Sequence, residues 1–93
     1  SIAFIGMFVR WSTRLFICEE RAQEALLLAH ECYDQITRID PIDRAEVLCA
    51  LLEIEMHTPV QIPDLKRQAL VALAELPLAT IQHFKALGIV LPA

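Results

Sequence analysis

The stretch FVRWSTRLFICEERAQEALLLAHECYDQITRI, residues 8–39, decides how this chain is read. Apolar or small residues fall at Phe8, Trp11, Leu15, Cys18, Ala22, Ala25, Ala29, Cys32, Ile36 and Ile39, with gaps of three and four that alternate almost without fault. A period near 3.5 is the pattern of helices packed side by side along their length. No proline interrupts it before Pro41, so the spacing predicts one long amphipathic helix from about Phe4 to Ile39. At 1.5 Å per residue such a helix spans about 54 Å, whereas a globule of this chain length is only about 32 Å across. Either the helix bends near Gly6 or Ser12-Thr13, or a second chain covers what protrudes. The expectation adopted is the second: a homodimer whose interface is Phe8, Trp11, Leu15, Cys18, Ala22, Ala25, Ala29, Cys32 and Ile36.

Composition points the same way. The 93 residues make one domain, 1–93, near the lower end of the size range for a single core. Hydrophobic residues reach 56%, above the usual 45–50%, and a monomer this small has too much surface to hide them. A large apolar patch closed by oligomerisation is therefore expected.

Beyond Ile39, Asp40-Pro41-Ile42-Asp43 places an N-cap carboxylate before a proline at the first helical position, so a second helix begins almost at once and runs to about His57. It is apolar round most of its circumference, with only Asp43, Glu46 and Glu53 on a plainly wet face; such a helix lies at the centre of a bundle or in an interface. Thr58 to Pro63 reads as a loop. A third helix from about Pro63 to Leu76 should bury Leu65, Ala69, Ala72, Leu73 and Leu76. Pro77 opens a short fourth helix that Gly88 ends in a left-handed cap, with Ile89 folding back on the last turn. The fold class expected is all-α: a four-helix domain with a long heptad-patterned first helix, packed in a helical homodimer.

Charge bounds the function. The net charge of −4 argues against a generic nucleic-acid binder. Residues 19–57 hold ten of the twelve acids, mostly off the seam, and read as a solvated face. The three cysteines follow no metal or redox spacing and read as small buried hydrophobes, which suits a reducing cytoplasm. The apolar first nine residues are too short to span a bilayer, and Arg10 and Arg14 follow rather than precede them, the reverse of a secretory signal. Since the chain starts at Ser1 rather than Met, it is expected either to have been trimmed or to begin in vector-derived residues.

No motif names a reaction. Glu53 and His57 have the i, i+4 spacing of two ligands on one helical face, but no second pair converges on them; His30 lies beside the seam; and there is no glycine-rich elbow or phosphate loop. The chain is therefore expected to be non-enzymatic, with no catalytic, cofactor-binding or metal-binding residues and no cofactor. Its expected role is protein–protein interaction, as an adaptor or regulatory module that associates with itself or another protein. Two alternatives carry specific residues. Thr80 to Ile89 resembles the second helix and following turn of mercury-resistance-type transcription regulators, which implies a helix-turn-helix over residues 63–88 and a DNA-binding regulator. Gln82 stands where that family has a basic residue, and the motif closes this chain instead of opening it. In the other alternative residues 2–17 lie on a membrane surface, with Phe4, Phe8, Trp11 and Leu15 inserted and Arg10 and Arg14 at lipid phosphates.

Overall fold

The computed structural model of the chain describes residues 5–36 and 40–92, and of Ile36 only the backbone. It is all-α among these residues, with five helices: α1 (Ile5–Cys18), α2 (Ala22–Ile36), α3 (Pro41–His57), α4 (Leu65–Ala74) and α5 (Leu78–Ala86). Phe4 and Ile39 lie outside the described residues.

The first helix expected from the seam is two helices. Neither Gly6 nor Ser12-Thr13 interrupts α1; the break falls at Glu19-Glu20-Arg21. Glu20 takes a left-handed φ of 60°. Its N–H donates to the Ile17 carbonyl (3.0 Å) and that of Arg21 donates to the Phe16 carbonyl (2.7 Å), the paired bonds of a Schellman stop with glutamate in the position glycine usually takes. Arg21 sits at the corner: its guanidinium lies 5.1 Å from the Phe16 ring and pairs with Glu19 at 3.3 Å and with Glu24, and its carbonyl accepts from the amides of Glu24 and Ala25. The chain folds back there, so the molecule measures 34 × 31 × 25 Å instead of the length of one rod.

α3 is the central element, with α1, α2 and α4 packed against it. Its start is the one expected: Asp40 accepts hydrogen bonds from the amides of Ile42 (2.8 Å) and Asp43 (3.4 Å), with Pro41 at the first helical position. Residues 45–52 are all buried, together with Ile54. At its other end the Thr58 hydroxyl donates to the Ile54 carbonyl at 2.7 Å. α5 stops as expected at Gly88, φ 75°, where the Ile89 amide donates to the Phe84 carbonyl at 3.1 Å and the side chains of both residues enter the core.

The seam changes sides at the corner. In α1 the buried residues are Gly6, Val9, Arg10 and Thr13, a face displaced from the seam, so Phe8, Trp11, Leu15 and Cys18 are exposed. In α2 the seam turns inward: Ala25, Ala29 and Cys32 are buried and Ala22 is half-buried. Ala25, Ala29 and Cys32 thus pack within the chain, and their small side chains let α2 lie close against its neighbours; they are not on the surface where the interface was placed. The side chain of Ile36 lies outside the described residues. Cys18 also departs from the expectation of three buried thiols, while burial, and then Glu46, pushes the Cys49 thiol up to about 12.

Candidate functional site

Two surface features stand out. One is the outward stripe of α1, where Phe8, Trp11 and Leu15 are 55%, 58% and 58% exposed at the i, i+3, i+7 spacing of one helical face. The guanidinium carbons of Arg10 and Arg14 lie 5.6 and 5.8 Å from the Trp11 ring centre, within cation–π range, while 58% of Trp11 stays exposed.

The other is a cleft of about 490 Å³ where the start of α3 meets α1 and α5. Met7 and Arg10 line it from α1, Asp40, Ile42, Asp43 and Glu46 from the start of α3, and Ala79, Thr80, His83, Phe84 and Leu87 from the α5 side. Beneath it lies a cluster of buried charge. Arg10 and Asp43 are 4% exposed and Glu46 is 9% exposed. These two acids are the correction to the wet face read from the sequence, because α1 covers them. Gly6 lets its backbone approach α3, and its N–H donates to Asp43 Oδ1 at 3.0 Å. Arg10 Nη1 stands 3.6 Å from Glu46 Oε2, an ion pair too long for a hydrogen bond. One turn along α1, Arg14 Nε donates to Glu53 Oε1 at 3.3 Å and its Nη2 to the Gly88 carbonyl at 2.6 Å.

The electrostatics follow from burial. Desolvation raises the Glu46 carboxyl, with Arg10 opposing the rise and Asp43 adding to it. Desolvation likewise raises the Asp43 carboxyl, the Gly6 amide opposing and the neighbouring Asp40 adding. Both groups hold a proton more tightly in the folded chain than in the unfolded one. Their contribution to stability is therefore complete below the ordinary carboxylate range, about pH 4, and is lost as pH rises through the raised values. Asp64, held low chiefly by its hydrogen bond with Arg67, acts with the opposite sign, but it is exposed and such pairs are worth little. Thermal melts from about pH 4.5 to 7 should thus show the melting temperature falling as pH rises, and Asp43→Asn should flatten that slope.

Of the residues the sequence singled out, Glu53 is engaged by Arg14 while His57 is exposed at the end of α3, and His30 is exposed on α2. His83 alone of the three histidines joins the cleft. Arg10, Asp43 and Glu46 were not recognised as a site. A partial signal is that Arg10 and Arg14 share one face of α1 and Glu46 and Glu53 one face of α3. Among the described residues no group of three or more His, Cys, Asp or Glu could hold a metal ion, and no helix is long and apolar enough to cross a membrane. No family model matches the sequence, and neither a curated protein nor a solved structure matches it.

Proposed function

We propose that the chain is a non-enzymatic helical interaction module of the cytoplasm that associates with itself, and that its contact face is the outward side of α1. The observation that carries this reading is the exposure of Phe8, Trp11 and Leu15 along one face, continued by exposed Cys18 and half-buried Ala22 at the corner. Large apolar side chains gathered on a small domain mark an association surface, and aromatic anchors carry most of the energy in such contacts. A two-fold pairing of α1 with its copy uses this patch on both sides.

The alternative readings have less support. On a membrane surface Arg10 and Arg14 would have to reach lipid phosphates, yet Arg10 pairs with Glu46 beneath α1 and Arg14 is spent on Glu53 and the Gly88 carbonyl. In the α4–α5 unit Arg67 is held by Asp64, leaving Lys66 and Lys85 as a thin footprint for phosphate.

Sedimentation equilibrium at tens of micromolar tests the proposal. The expected result is a dimer or larger species, with Leu15→Glu returning the chain to monomer at nearly unchanged melting temperature, because an exposed site costs within about 0.5 kcal/mol. Trp11, the one tryptophan in the sequence, should shift its emission to the red on dilution. A monodisperse wild-type monomer overturns the reading.

A further inference from the structure

We infer that the cleft between α1, α3 and α5 binds an organic cation, an ammonium or guanidinium group carried on an apolar body. The inference is independent of self-association.

The lining sets the sign of the ligand. Asp40, Asp43 and Glu46 line the cleft together with Arg10, so three carboxylates and one guanidinium leave a formal charge of −2 with His83 neutral. Asp40 spends an oxygen on the first amides of α3, and Asp43 Oδ1 is taken by the Gly6 amide. Asp43 Oδ2 has no hydrogen-bond donor and Arg10 Nε no acceptor, whereas Glu46 Oε2 and Arg10 Nη1 are each other's ion-pair partners at 3.6 Å without a hydrogen bond. Buried polar atoms without partners are rare in folded proteins and cost stability. Here the unmet acceptor belongs to Asp43, which is 4% exposed and lines the cleft. The unmet acceptor of Asp43 calls for an N–H donor, and the excess charge calls for a cation.

The rest of the lining sets the body. Met7, Ile42 and Leu87 are exposed at the rim and Phe84 closes the base, so an alkyl or aromatic portion is desolvated while its charged end meets the acids. A volume of about 490 Å³ falls within the range of small-ligand sites, about 300–1,000 Å³. A carboxylate or phosphate would face the net negative lining. A bare metal ion would leave the apolar rim unused.

The fold itself gains little from these charges. Desolvation raises both carboxyls, so ionising them opposes folding, the cost that binding sites commonly carry. An incoming cation stabilises the ionised forms and reverses that cost.

The test uses hexylamine as probe, hexanol and hexanoate as controls of equal chain length, and two-dimensional amide spectra as readout. Hexylamine should saturably shift the amides of Gly6, residues 42–46 and residues 80–84. Hexanol and hexanoate should bind at least tenfold more weakly. Asp43→Asn, whose amide oxygen still accepts from Gly6, should lose at least tenfold in amine affinity while its melting temperature at neutral pH holds or rises. Should that variant fail to fold, Glu46→Gln is read in its place. A capped peptide with one lysine between leucines distinguishes the sources: binding tenfold tighter than hexylamine assigns the cleft to a protein side chain, and equal or weaker binding assigns it to a free amine. Hexanoate binding as tightly as hexylamine, amine shifts scattered without saturation over the acidic surface, or full affinity in both variants overturns the inference.

Discussion

Phe84→Ala should lower stability by about 3–5 kcal/mol, the range for removing a buried aromatic ring, out of a total that for a small domain is only about 5–15 kcal/mol. Phe84 is 1% exposed and is the one buried residue within α5. This helix spans nine residues, far below the length at which a helix persists unaided. It is held by Phe84, by half-buried Ile81, by Ile89 just beyond its cap, and by the bond from Arg14 to the Gly88 carbonyl. Removing the ring takes away the main anchor. Urea unfolding should show the lower midpoint, and native-state hydrogen exchange should show the amides of residues 78–86 losing protection well before those of α3. The loss reaches the cleft, because Ala79, Thr80, His83, Phe84 and Leu87 form one of its walls; amine binding should fall with it. A cost under about 1 kcal/mol would mean that α5 is not docked through this ring.

What the sequence revealed and what it concealed divide along the range of the interactions. The start of α3 was legible because Asp40, Pro41 and the first amides are neighbours in the chain, and the stop after α5 was legible because Gly88 tolerates the left-handed conformation its cap requires. The corner at Glu20 was not. A left-handed conformation costs a residue with a side chain about 1–2 kcal/mol, so no local rule places one there, and the strain is offset by the packing of α1 on α2. The seam concealed the break further: its three-and-four spacing continues through Cys18, Ala22 and Ala25 although the helix does not. The site was hidden for the same reason. Asp43 and Glu46 read as solvated because charge is normally exposed, and only the contact with Gly6 and Arg10, more than thirty residues earlier, buries them.

That contact sets the second large effect, since Gly6→Ala should destabilise the chain by about 2–4 kcal/mol. A Cβ built at Gly6 would stand 2.7 Å from Asp43 Oδ1, 2.9 Å from Glu46 Cβ and 3.0 Å from Asp43 Cα. The carboxylate could swing aside, but Glu46 Cβ and Asp43 Cα are fixed to the helix, so α1 and α3 must move apart. Overpacking of this kind costs about 1–3 kcal/mol, and separating the helices also strains the bond from the Gly6 amide to Asp43, of a type worth about 1.5–3 kcal/mol. Against this, alanine gains at most about 1 kcal/mol over glycine in a helix. The sign is therefore decided by packing. At about 4–8 °C per kcal/mol for a domain of this size, the melting temperature should fall by at least about 8 °C, and the protection of Asp43 and Glu46 from solvent should fall too, moving both carboxyls back toward their ordinary range in a pH titration followed by carboxyl-carbon NMR. An alanine variant that melts higher than wild type would mean that helix propensity governs the site and that the amino end of α1 does not lie against α3.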